Sequence, residues 1–204
     1  MNKSAKIAPI INFFGSLIFI LFEVENIIPK IDENNKIGLE VFNIVLVEPQ
    51  IPPNTGTIGR LCVNLGATLH LVKPLGFDID DKAVTRAGLD YWKNLDLIIW
   101  ESFDAFLEEH PINNSSHLAT TKTDKLYFDA KFKKDDYILF GSETKGMRED
   151  VLLKNKEQCI TIPMGGEGRS LNLGVAVGIV TYEALRQNYD GFEKITIANT
   201  LEEK

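Results

Sequence analysis

Asn43-Ile-Val-Leu-Val47, followed by Glu48-Pro-Gln-Ile-Pro-Pro-Asn-Thr-Gly-Thr-Ile-Gly-Arg60, is the stretch from which the fold can be read. The first five residues are a short β-branched run stopped by Glu48-Pro49, which reads as a buried strand. From Thr55 the spacing changes: Ile58, Leu61, Cys62 and Leu65 recur at helical intervals and the pattern closes on Gly66, a C-cap. A buried strand that passes through a polar loop into a helix is the opening of a βα unit.

The same alternation continues downstream. Leu69-His-Leu-Val72 predicts a second strand, stopped by Lys73-Pro74, and residues 80–87 a helix. Strands are expected at 97–100, 116–120, 137–140 and 159–162, with helices at 103–108, 148–155 and, longest of all, 172–188. Strands alternating with helices predict an α/β fold with a mostly parallel sheet covered by helices on both faces.

Residues 43–188 therefore read as one domain, flanked by an extension (1–42) and a tail (189–204). In the extension, Lys3 and Lys6 precede an apolar run, Ile7 to Phe22, broken by Pro9, Asn12, Gly15 and Ser16. No small-x-small cleavage site follows, and the run falls short of the roughly 20 residues a membrane span needs. It is expected to be a poorly ordered extension, from an upstream start or as a weak anchor, and no membrane partner is expected.

A composition of 44% hydrophobic and 25% charged residues is that of an ordinary globular protein. Cys62 and Cys159 are expected to be buried structural thiols, and the scattered His70, His110 and His117 match no metal site. A net charge of −7 excludes coating of nucleic acid by bulk electrostatics. It leaves room for a local basic surface, to which Lys122, Lys125, Lys131, Lys133 and Lys134, or Lys82 with Arg86, could contribute.

Ligands of α/β folds collect beyond the carboxyl ends of the strands, and three such ends carry unusual polar content. In the first loop Pro52 and Pro53 stiffen the approach, Gly56 admits close backbone approach, and Arg60 follows a helix start suited to an anion. The second, Phe140-Gly-Ser-Glu143-Thr-Lys-Gly146, holds a carboxylate between glycines, which could bond ribose hydroxyls, a cofactor amine or Arg60. The third, Ile162-Pro-Met164-Gly-Gly-Glu-Gly-Arg-Ser170-Leu171-Asn172-Leu, leaves backbone groups open to a ligand, with Ser170 and Asn172 able to cap the next helix or touch a cofactor. Taken singly, each reads equally well as a capped turn, with Asn54 as the N-cap in the first. The dinucleotide fingerprint, the P-loop and the nucleophile elbow are all absent.

Together and in order, these loops resemble motifs 1, 2 and 3 of the SpoU/TrmH branch of the SPOUT methyltransferases. Asn54-x-Gly56-x-x-x-Arg60, Phe140-Gly-Ser-Glu143 and Ser170-Leu-Asn172-Leu carry the resemblance, which runs from Asn43 to about Gln187. Ile51-Pro-Pro-Asn-Thr-Gly56, Pro74-Leu-Gly-Phe77, Asp81-Lys82, Arg86-Ala-Gly-Leu-Asp-Tyr91 and Tyr182-Glu-Ala-Leu-Arg-Gln187 narrow it to a subfamily. That subfamily methylates the ribose 2′-oxygen of the tRNA wobble nucleotide, cytidine or 5-modified uridine. Two positions depart from the pattern: Gly174 stands where motif 3 has serine, and Ser142 where motif 2 has proline.

The resemblance implies a C-terminal trefoil knot, a homodimer with shared active sites, a cytoplasmic enzyme and the anticodon stem-loop of tRNA as partner, with no metal. It implies S-adenosylmethionine held near Ala119, Gly141, Ile162, Met164, Ser170 and Leu171. Arg60 is implied at the target ribose and phosphate, with Asn54, Glu143, Ser170 and Asn172 around it. A sulfonium methyl is already electrophilic, so such an enzyme chiefly aligns the 2′-hydroxyl and takes its proton. Methylation of another tRNA or rRNA site is the alternative activity, and a non-catalytic cofactor- and RNA-binding module is the alternative of a different class.

Overall fold

Among the described residues, six parallel strands form one sheet in the order β3-β2-β1-β5-β4-β6. They are β1 (Asn43–Val47), β2 (Thr68–Val72), β3 (Leu97–Trp100), β4 (Ser116–Ala119), β5 (Tyr137–Phe140) and β6 (Cys159–Ile160). The α-helices among the described residues are α1 (Pro52–Leu65, between β1 and β2), α2 (Phe103–Glu109, between β3 and β4), α3 (Glu149–Lys154, between β5 and β6) and α4 (Leu173–Gln187, after β6). The computed structural model describes residues 42–78 and 90–189. The helix expected at 80–87, with Lys82 and Arg86, lies outside the described residues, as do the extension up to 41 and the tail from 190.

Side chains alternate across a strand, and the register carries that alternation through the sheet. Val45, Val47, Val72, Leu118, Leu139 and Cys159 point to one face, where Phe103 and Phe106 of α2 and Val151 and Leu152 of α3 cover them. Ile44, Leu46, Leu69, Leu71, Ile138 and Ile160 are equally buried. By the same register they point to the opposite face, which α1 and α4 cover while packing against each other. The apolar runs of β1 and β5 thus have the cause expected of them, burial on both faces, whereas Ile98 and Ile99 of the edge strand β3 are exposed.

Two element boundaries differ from expectation by two residues or more. Helix α1 begins at Pro52 rather than Thr55, with Ile51 as its cap residue and the prolines in its first turn. Proline fits there because its missing N–H would have had no intrahelical partner. Asn54 is therefore not the N-cap; it lies inside the helix and is buried. Strand β6 stops at Ile160, and Thr161 instead makes an isolated parallel bridge with Leu126. The expected stop of α1 is present, with Gly66 left-handed at φ 66°.

The segment after β4 is stitched on two sides. Tyr127 N donates to Thr161 O (2.9 Å) and Thr161 N to Lys125 O (2.8 Å). On the other side Gln187 Nε2 donates to Ala130 O (3.0 Å), and Phe132 N donates to Gln187 Oε1 (3.1 Å). The C-terminal end of α4 is thereby clamped beneath that segment.

Both cysteines are buried, and burial pushes the Cys62 thiol up to about 12, so it behaves as an inert core residue. Among the described residues there is no cluster able to hold a metal ion, and no helix long and apolar enough to cross a membrane.

Candidate active site

The carboxyl ends of β4, β5 and β6 open onto one cavity of about 300 Å³. That is the lower end of the roughly 300–1,000 Å³ usual for small-molecule sites. Its lining includes the buried apolar side chains Phe140, Ile160 and Val180, and rising from them the loops at 119–122, 141–147 and 161–171. Ala119, Gly141, Ile162, Met164, Ser170 and Leu171, expected around a cofactor, all line it, and Glu143 joins them.

Glu143 is held by the first loop. Its carboxylate accepts from Gln50 N (2.8 Å), Ile51 N (3.2 Å) and Asn54 Nδ2 (2.9 Å). Burial opposes its ionisation, but the donors from Asn54, Gln50 and Ile51 outweigh it and hold the carboxyl below its ordinary range. The sequence left this carboxylate a choice of partners, Arg60 among them. The donors it meets instead are the residues that open α1.

Asn54 extends the chain of bonds. Its Oδ1 accepts from Asn172 Nδ2 (2.9 Å), and Asn172 Oδ1 accepts from Val175 N (3.3 Å), capping α4. Ser170 is exposed in the loop before the helix, leaving the cap to Asn172. A single relay, Glu143–Asn54–Asn172, thus fastens the three polar loops together. Each motif supplies one member.

Two glycines are demanded by the backbone. A Cβ on Gly141 would lie 2.1 Å from Gly146 C and Met147 N, so only glycine lets the second loop fold back on itself. A Cβ on Gly76 would lie 2.6 Å from Gln50 O. Backbone contact there, with Gly76 N donating to Pro49 O (2.9 Å), braces the first loop from behind. Ser142, at the position where proline was expected, turns its Oγ toward Lys145 N (3.2 Å) and closes the turn itself.

Arg60 is exposed on α1 and is not part of the cavity lining. Conversely, Thr120, Thr121, Lys122, Lys145 and Arg169 line it without having been singled out as site residues. Arg169 carried a signal, a lone cation inside a glycine-rich loop. In the sequence Lys122 reads only as part of a surface cluster of lysines.

Comparison with known proteins agrees with this geometry. The SpoU rRNA methylase family matches residues 41–182. A tRNA (cytidine(34)-2′-O)-methyltransferase from Burkholderia ambifaria is 44% identical over 155 residues, 75% of this chain and 98% of its own. A solved structure described as giving insight into 2-OH methylation of C/U34 on tRNA superposes with TM-score 0.69 at 42% identity, covering 75% of this chain and 99% of its own. The SpoU methyltransferase AviRb from Streptomyces viridochromogenes, in complex with AdoMet, shares the fold at TM-score 0.63 and 24% identity, over 74% of this chain and 58% of its own. With a family match over most of its length and relatives this similar, this chain belongs to the SpoU rRNA methylase family.

Proposed function

We propose that this protein is an S-adenosylmethionine-dependent methyltransferase acting on the ribose 2′-hydroxyl of the tRNA wobble nucleotide, cytidine or 5-modified uridine. The observation that carries the reading is the relay Glu143–Asn54–Asn172, which converts three loops into one cavity lined by every residue expected at the cofactor. The residues present fit that cofactor. An apolar floor suits an adenine ring, and a loop kept free of side chain at Gly141 suits close backbone contact. When bound, the cofactor supplies an electrophilic methyl group. The chain's part is to fix that group and bring a hydroxyl into line with it.

Asn54, Glu143 and Asn172 hold the loops in register, and Ser170 offers a hydroxyl at the rim. Arg60 serves as the anchor for the target ribose and phosphate, with its planar fork suited to phosphate oxygens. Arg60 lies outside its own chain's lining, which supports a role at the cavity of a second copy, in a homodimer. The exposed apolar side chains Val175 and Tyr182 on α4, with Leu171 and Met164 beside the cavity, support such a contact.

The clamping of α4 beneath the 125–132 segment supports the trefoil knot that the family implies, within a catalytic domain of residues 43–188. The anticodon stem-loop is the RNA partner, and the cytoplasm the compartment where tRNA is met. Purified protein incubated with labelled S-adenosylmethionine and bulk tRNA tests the reading, with mass-spectrometric mapping of the product. Label on the 2′-oxygen of nucleotide 34 is the expected result. Label elsewhere would move the activity to another RNA site, and cofactor binding without transfer would leave only a binding module.

A further inference from the structure

The mouth of the cavity is cationic on three sides, and nothing in the assigned chemistry uses those charges. Lys122 stands on the loop after β4, Lys145 on the loop after β5 and Arg169 on the loop after β6. All three are exposed and all three line the same cavity. Within the described residues neither Lys145 nor Arg169 makes an ion pair, and Lys122 meets only the exposed Glu149, at 3.4 Å. An exposed pair of that length holds a lysine weakly.

Cavity-lining residues do not neutralise the rim. Glu143 is the one carboxylate among them, and its oxygens are taken up by Gln50, Ile51 and Asn54. Lys145 is presented from a fixed turn: Gly146 N donates to Ser142 O (2.8 Å), Ser142 Oγ accepts from Lys145 N (3.2 Å), and Gly146 is left-handed at φ 69°. Around Arg169 there is room, for a Cβ on Gly165, Gly166 or Gly168 would meet no heavy atom within 4 Å.

We propose that Lys122, Lys145 and Arg169 form a collar that grips the RNA phosphodiester backbone as the target ribose enters the cavity. The inference rests on the methyltransferase reading and names residues that position its substrate. A phosphodiester chain is favoured over the carboxylate of the cofactor on charge and place. Three cations from three separate loops exceed what one carboxylate requires, whereas a backbone crossing the mouth brings a charge with every nucleotide. The collar also stands at the exposed rim, while the apolar lining lies below it. A protein of net charge −7 needs such a local concentration of positive charge to hold RNA.

Lys145→Gln and Arg169→Gln, separately and together, test the collar in the full-length protein, because exposed substitutions of this kind leave the core untouched. Affinity for bulk tRNA is measured against salt concentration, affinity for S-adenosylmethionine alone by calorimetry, and Arg169→Lys is the conservative control. The expected result is a tRNA affinity lowered about five- to tenfold per charge at low salt, and a salt slope reduced by about 0.7–0.9 for each cation removed. Cofactor affinity is expected to stay within about twofold, and Arg169→Lys to restore the salt slope. Unchanged tRNA affinity and slope would overturn the proposal, as would a loss of cofactor affinity matching the loss of tRNA. Methyl transfer by the unaltered protein reports separately on the reading beneath it: a collar that binds RNA in an inactive protein leaves this inference standing and removes that one.

Discussion

Asn172 donates from Nδ2 to Asn54 Oδ1 across 2.9 Å, joining residues 118 positions apart in the chain. The same Asn172 caps α4 through its other side-chain atom, so one residue both starts a helix and locks it to the first turn of α1. Replacing either asparagine by alanine strands the other. Cap loss alone costs about 0.5–2 kcal/mol. The double-mutant cycle Asn54→Ala/Asn172→Ala is expected to give a coupling energy of about 1 kcal/mol in urea unfolding. Additive single effects would show that the bond contributes nothing.

Gly141 offers a sharper test of the cavity wall. With a Cβ 2.1 Å from backbone atoms of Gly146 and Met147, Gly141→Ala cannot be accommodated by moving a side chain; the loop itself must be rebuilt. Affinity for S-adenosylmethionine is expected to fall more than tenfold, with stability lowered by about 1–3 kcal/mol. Calorimetric titration of the folded variant measures the first effect. Unaltered cofactor affinity would mean that the loop is not part of the site.

Much of this was legible in the sequence, and the exceptions have physical causes. The inner strands announced themselves because a parallel sheet buries both of their faces, which makes runs such as Ile44–Val47 continuously apolar. The start of α1 was misplaced because Pro52-Pro53 reads as a stiff approach, while a helix accepts proline in its first turn. Glu143 looked available because its partners, Gln50, Ile51 and Asn54, lie about ninety positions upstream and no local pattern announces them. Membership of the site was legible only from the order of the three motifs together. Lys122 and Lys145 carry no such signal, because a cation on a loop looks the same in sequence whether or not a cavity lies beneath it.

Glu143 also fixes an acid sensitivity. Its folded-state pKa is held below the ordinary range, so the stabilisation is present above the unfolded value near 4.3 and is lost as pH falls through the folded value. Glu143→Gln keeps the shape but turns an amide toward the donors at Gln50 and Ile51. The variant is expected to be less stable than the unaltered protein at pH 7, with the gap closing below pH 4. A gap independent of pH would mean that the charge plays no part.

His70 imposes a second, separable pH dependence. Burial, reinforced by His110, lowers its value to about 4 against 6.5 for the free side chain. Its neutral ring accepts from Trp100 Nε1 (3.1 Å), and its Nε2 is 3.2 Å from Asn43 Oδ1. The unfolded chain takes up a proton below 6.5 while the folded one resists, so stability drops as pH falls from 6.5 toward 4. His70→Gln is expected to be less stable at neutral pH, because the ring's packing is lost, and to show a flatter stability profile across that window. Denaturant midpoints at half-unit pH steps read the slope directly.

Arg60 decides whether the active site is shared. It is exposed on α1 and outside the lining of its own cavity, whereas Gly141 is inside it. Each substitution, Arg60→Ala and Gly141→Ala, is expected to abolish methyl transfer alone, the first without loss of cofactor affinity. If each cavity is served by the partner's arginine, a mixed dimer holds one site with both defects and one with neither. Unfolding and refolding the two variants together makes about half the dimers mixed and restores about a quarter of the unaltered activity. An arginine serving its own cavity would leave every site defective, and the mixture would be as inactive as its components.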